Sequence, residues 1–210
     1  MVSGNYDQLS SLGLENLIFS DVETGFRSGL YRNKDTGEYS LAFAGTVGNV
    51  FGPDWVNNFT QLNGNSTQYG LAIANSLAIS SAIKNQVNGR LSFTGHSLGG
   101  GLAAISKLAA YTNGVSTPYS TTTTFNSAGL SQATLGAVGI SDNSFTFDVR
   151  IDNFAVANDV LSTLQANSAL PSAAGNTTVI NLPSNSRLNT FQRHQTQAVR
   201  RALINEGYRH

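Results

Sequence analysis

Apolar residues along this chain follow two alternating periods. Tyr69, Ile73 and Leu77 are spaced by four, with polar Ser76 and Ser80 beside them, which predicts a helix over residues 66–85. Residues 26–31 and 39–43 instead have strand character, and Asn33-Lys34-Asp35-Thr36-Gly37 between them has turn chemistry, so the three together predict a β-hairpin. Residues 90–94 form a short strand pattern, followed by a helical pattern over 98–111 that is rich in Ala and Gly. Residues 121–125 are β-branched and aromatic, as suits a buried strand. Further on, Phe145, Phe147, Val149 and Ile151 alternate with Thr146, Asp148 and Arg150, which predicts a strand over 145–151 with one wetter face, as near a sheet edge. A last strand is expected over 177–182, and a closing helix over 195–205 turns Ala198, Val199, Ala202 and Leu203 inward. Strands alternating with helices imply an α/β fold: a mostly parallel sheet flanked by helices, with an antiparallel hairpin at its start.

Composition narrows the function classes. With 210 residues the expectation is one domain, residues 1–210, and charged residues make up only 11% against about a quarter in ordinary globular proteins. Twelve basic and twelve acidic residues cancel, and the basic residues cluster only at Arg200-Arg201, so nucleic acid is a poor partner. The absence of cysteine excludes a thiol nucleophile, a disulfide framework and a zinc-cysteinate site. Carboxylates and histidines do not cluster at metal-binding spacing, so no metal is expected. The first residues, Met1 to Asp7, carry no basic cluster leading into an apolar run, and no apolar run approaches membrane-spanning length. Localisation is left open between secretion without a visible signal peptide and a domain of a larger secreted protein.

The chemistry concentrates at Thr94-Gly95-His96-Ser97-Leu98-Gly99-Gly100-Gly101. A G-x-S-x-G motif lies here between a predicted strand and a predicted helix, the context of the nucleophile elbow of α/β-hydrolases. The chain must reverse so tightly that Cβ atoms at Gly95 and Gly99 would collide, while the Ser97 hydroxyl is projected beyond the sheet at a helix N-terminus. A phosphate-binding loop would need a Lys-Ser/Thr ending, which is missing. His96 is adjacent to Ser97, but neighbouring side chains at such a turn point apart, so packing or support of the site is its expected role.

Gly95-His96-Ser97-Leu98-Gly99-Gly100, preceded by Phe43-Ala44-Gly45-Thr46 and by Asp54-Trp55, resembles the class 3 (fungal-type) lipase family over roughly residues 39–164. The resemblance implies an α/β-hydrolase fold and hydrolysis of acylglycerols or phospholipids without a cofactor. It also implies an oxyanion-hole residue at Thr46, a supporting Asp54 and a packing Trp55. Many members carry Arg where this chain has Ala44, so that buttress is absent or replaced. Val47-Gly48-Asn49-Val50-Phe51-Gly52-Pro53 reads either as a lipid-contacting flap or as a surface loop.

Behind such an elbow the acid and then the base follow the serine along the chain. Asp148 falls inside a predicted strand and Asp142 before it, and both read as surface residues. Asp152, at the strand's edge, is an alternative acid, whereas Asn158-Asp159-Val160-Leu161 lies beyond the strand and resembles the acid-bearing stretch of the lipase family, so Asp159 is the expected acid. Of the two later histidines, His210 is terminal, where fraying opposes a fixed geometry, which leaves His194 as the base. The expected oxyanion donors are the backbone N–H of Leu98 and the segment at Thr46.

These residues predict a serine hydrolase of lipid carboxylic esters, of lipase or phospholipase A type. A short-chain esterase or acyltransferase would use the same groups, and a non-catalytic binding module would have no need of them. Expected partners are a lipid or other ester and a transient membrane surface. The low charge and compact size also suit an exported lipase effector held by an immunity protein.

Overall fold

The computed structural model describes residues 6–45, 67–86, 89–117, 119–141 and 149–208. Among them, strands β1 (Ser28–Arg32), β2 (Tyr39–Phe43), β3 (Leu91–His96), β4 (Thr122–Phe125), β5 (Ile151–Val156) and β6 (Asn176–Ile180) form one sheet in sequence order. The β1–β2 pair is antiparallel, with Leu30 opposite Leu41, and every later pair is parallel. The hairpin turn closes as its residues suggest: Asn33 Oδ1 accepts from the N–H groups of Asp35 and Thr36 at 2.8 and 3.1 Å, and Gly37 takes a φ of 75°.

The described helices are α1 (Tyr6–Ser11), α2 (Thr67–Lys84), α3 (Leu98–Thr112), α4 (Gln132–Gly136), α5 (Val160–Asn167), α6 (Thr190–His194) and α7 (Thr196–Asn205). Helix α3 is buried almost all round, because it is sandwiched between α2 and the strands β2, β3 and β4. That position explains its small residues: a Cβ on Gly101 would lie 2.7 Å from the Tyr69 hydroxyl of α2. Strand alternation splits the sheet's side chains between two apolar clusters. Leu41, Leu91, Phe93 and Ile151 share one with Leu102, Ile105 and Leu108 of α3, while Phe125, Phe154, Val156 and Ile180 share the other with Ala198, Val199 and Ala202 of α7.

The strand expected over 145–151 falls largely on residues 142–148, which lie outside the described residues; among the described ones β5 begins at Ile151 and runs to Val156, past the predicted end. The polar Asn153 breaks the apolar alternation of this strand, yet it occupies an inward position. Its amide is satisfied there: Oδ1 accepts from the Thr124 hydroxyl at 3.1 Å and from the Ser127 N–H at 3.3 Å, and Nδ2 donates to the Thr177 hydroxyl at 3.2 Å. In consequence Asp152 lies inside the strand with an exposed side chain, while Asp159 stands beyond its end.

Candidate active site

The turn from β3 to α3 is accomplished at one residue, Ser97. A Cβ on Gly95 would fall 2.0 Å from the Gly99 carbonyl oxygen, and one on Gly99 would fall 2.3 Å from that of Phe43, so neither position admits a side chain. Between them Ser97 adopts φ 58° and ψ −126°, a conformation that costs a non-glycine residue about 1–3 kcal/mol. Backbone hydrogen bonds hold it: its N–H donates to Phe125 O at 3.0 Å, and its carbonyl accepts from the N–H groups of Gly100 and Ala128, each at 2.9 Å, and from that of Gly101 at 3.4 Å.

Asp159 follows β5 by three residues and caps the N-terminus of α5. Its Oδ2 accepts from both the N–H and the hydroxyl of Ser162 at 2.8 Å, which leaves Oδ1 directed at His194. His194 ends the short helix α6, which a capping box at Asn189 starts. Arg193 ties that helix down by donating from Nε to Leu188 O at 2.9 Å and from a terminal nitrogen to Ala157 O at 3.1 Å.

These elements bring together the three residues that the sequence singles out. His194 Nδ1 lies 2.5 Å from Asp159 Oδ1, and His194 Nε2 lies 2.8 Å from Ser97 Oγ. The carboxylate can only accept, so Nδ1 carries the ring proton, and Nε2 is then the acceptor for the Ser97 hydroxyl. Asp159 and His194 are fully buried and Ser97 is 7% exposed. The relay stands at the C-terminal ends of parallel strands, where α/β sheets place their ligands. A hydroxyl in this setting can pass its proton to the imidazole as it attacks a carbonyl carbon.

Leu98 is the first residue of α3, so its N–H has no acceptor within the helix and is free to serve an oxyanion. Gly45 passes close to the elbow: a Cβ there would lie 2.8 Å from His96 O and 3.4 Å from Ser97 Cβ. Thr46 directly follows, but it lies outside the described residues, as do the 47–53 segment, Asp54, Trp55, Asp142, Asp148 and His210.

His96 reaches the site through His194. Its Nε2–H donates to the His194 carbonyl at 2.5 Å, and the two imidazole centroids are 4.9 Å apart. Burial, reinforced by the neighbouring His194, pulls its pKa down to about 4, so the ring is neutral at neutral pH. Ser162 and Asn126 also belong to the site, and the sequence did not single them out. Asp-x-x-Ser at the start of an apolar helical run is a capping signal that would have found Ser162; Asn126 carries no comparable signal.

Residues 2–208 match the family model of the Tle-like phospholipase domain, described as phospholipase-like. The chain belongs to that family. A relative of this Tle-like domain, the extracellular phospholipase A1 of Serratia liquefaciens, is 36% identical over 172 residues, covering 80% of the chain and 49% of the relative. The chain therefore spans about half the length of that protein.

Solved structures agree with the fold of this Tle-like domain. A lipase from Rhizopus microsporus var. chinensis superposes with a TM-score of 0.55 at 14% identity, covering 88% of this chain and 68% of that one. A triacylglycerol lipase from Penicillium expansum gives 0.52 at 11% identity, covering 78% and 67%. The fold is that of the class 3 lipase-like α/β-hydrolases, with the antiparallel hairpin at its start.

Proposed function

We propose that this chain is a phospholipase of A type that cleaves carboxylic esters of lipids through an acyl-enzyme on Ser97. The observation that carries the reading is the continuous, buried hydrogen-bond relay from Ser97 through His194 to Asp159, at 2.8 and 2.5 Å. In the first step Ser97 Oγ attacks the ester carbonyl carbon while its proton moves to His194 Nε2. Asp159 holds the ring in the productive tautomer and stabilises the imidazolium. The carbonyl electron pair moves onto oxygen, where the Leu98 N–H and the segment at Thr46 donate hydrogen bonds. As the pair returns, the bond to the leaving alcohol breaks and His194 protonates that oxygen. Water, deprotonated by His194, then repeats the sequence on the acyl-enzyme and releases the fatty acid.

Phospholipid rather than triacylglycerol is the substrate that the family and the Serratia relative support. The same relative supports export of the chain and action at a lipid surface. An immunity protein that blocks access to Ser97 would co-purify with the chain from the native host.

The test pairs covalent labelling with a substrate panel. A fluorophosphonate should label the wild type and fail to label Ser97→Ala. Phosphatidylethanolamine or phosphatidylglycerol vesicles should be hydrolysed faster than triacylglycerol emulsions and p-nitrophenyl butyrate. Preference for the soluble ester would favour an esterase, and inertness towards probe and substrates alike would sink the enzymatic reading.

A further inference from the structure

The carbonyl oxygen of His194 is gripped from two sides. His96 Nε2–H donates to it at 2.5 Å and Asn126 Nδ2 at 3.3 Å, with Arg193 O a further acceptor for the same amide nitrogen at 3.2 Å. The other end of the Asn126 side chain is equally engaged, because Oδ1 accepts from the Val156 N–H at 2.8 Å. Val156 ends β5, and its carbonyl accepts from the Asp159 N–H at 3.0 Å. One carboxamide thus joins the backbone of the base to the strand that delivers the acid.

The backbone at Asn126 is adapted to this arrangement. It leaves β4 with a φ of 42°, in the left-handed region where asparagine is among the few tolerated side chains, and the residue is fully buried. A glycine would satisfy that φ more easily, so the conformation alone does not account for a buried carboxamide with donor and acceptor both engaged.

We infer that Asn126, together with His96, is a positioning residue: the two side chains clamp the His194 carbonyl and thereby fix the imidazole against both Ser97 and Asp159. Helix α6 spans only Thr190–His194, too short to hold its last residue by its own hydrogen bonds. An imidazole free to drift by a fraction of an ångström loses alignment with the attacking hydroxyl, and misplacement of about 1 Å can cost 100-fold in rate. The inference rests on the hydrolase reading above.

The experiment compares Asn126→Gly, which keeps the left-handed backbone and removes the carboxamide, with His96→Phe, which keeps a ring and removes the donor. Both are assayed on p-nitrophenyl butyrate, for fluorophosphonate labelling rate and for thermal melting. Each should lower kcat and the labelling rate in parallel by about tenfold with KM unchanged, and His96→Gln, which restores an N–H donor, should recover part of the loss. Because both side chains act on one carbonyl, the double variant should fall short of the product of the two effects. If Asn126→Gly does not fold, His96→Phe and its Gln rescue decide. Wild-type kcat and labelling rate in the folded variants, even with a lowered melting temperature, would overturn the inference and leave the hydrolase reading intact. A wild type inert to the probe would instead sink the reading beneath it.

Discussion

Ser162 holds the carboxylate oxygen of Asp159 that His194 does not use, with its N–H and its hydroxyl both donating to Oδ2 at 2.8 Å. The helix cap and the orientation of the acid are therefore one structure. The backbone donor survives any substitution at position 162, but the hydroxyl does not. Ser162→Ala is expected to lower kcat/KM for a p-nitrophenyl ester about tenfold, the effect of losing one charge-assisted hydrogen bond. Ser162→Thr should retain most of the activity, and equal activity in Ala and wild type would show that the cap alone orients the acid.

Asp159→Asn and Asp152→Asn separate the two acids that the sequence left open. Asp159 Oδ1 is 2.5 Å from His194 Nδ1, whereas Asp152 is exposed on β5. An amide at position 159 can turn an N–H towards Nδ1 and favour the wrong tautomer, so kcat should fall by about 10⁴. Asp152→Asn should match the wild type in the same assay.

How the sequence pointed to Asp159 shows where legibility ends. The glycines at 95 and 99 encode the elbow directly, since contacts of 2.0 and 2.3 Å leave no other residue possible. The regular periods of α2, α3 and α7 gave those helices to within a residue or two. β5 continues past the end that apolar alternation predicts, because Asn153 is inward while polar. Its burial depends on Thr124, Ser127 and Thr177, partners 24 to 29 positions away, and no local pattern announces them. The short helices α5 and α6 leave no periodic signal for a related reason: they are fixed by caps at Asp159 and Asn189 rather than by a periodic apolar face.

His96 supplies a pH-dependent term in stability. Its pKa is lowered from 6.5 to about 4, chiefly by burial, so the folded state resists a proton that the unfolded chain accepts. Above pH 6.5 both states are neutral at this residue and the term is constant. As pH falls from 6.5 towards 4 the unfolded state gains protons first, and up to about 3 kcal/mol is lost by pH 4. His96→Phe removes the titrating group. Denaturant unfolding at pH 7.5, 5.5 and 4.5 should therefore show a smaller acid-side loss in the variant, and parallel losses in both proteins would refute the assignment.

The backbone strain at Ser97 separates stability from activity. Its φ of 58° and ψ of −126° oppose any residue with a Cβ, and the hydrogen bonds from Gly100 and Ala128 to its carbonyl and from its N–H to Phe125 enforce them. Ser97→Ala removes the hydroxyl but keeps the Cβ, so the strain remains. Ser97→Gly removes both, relieving about 1–3 kcal/mol in the folded state against about 0.5–1 kcal/mol of extra freedom in the unfolded chain. The difference favours glycine by about 1 kcal/mol, which for a chain of this size is about 2–4 °C. Both variants should be inactive and unlabelled, with Ser97→Gly melting above Ser97→Ala. The reverse order in calorimetry would mean that the elbow tolerates a side chain without strain, and that its geometry is set by the neighbouring glycines alone.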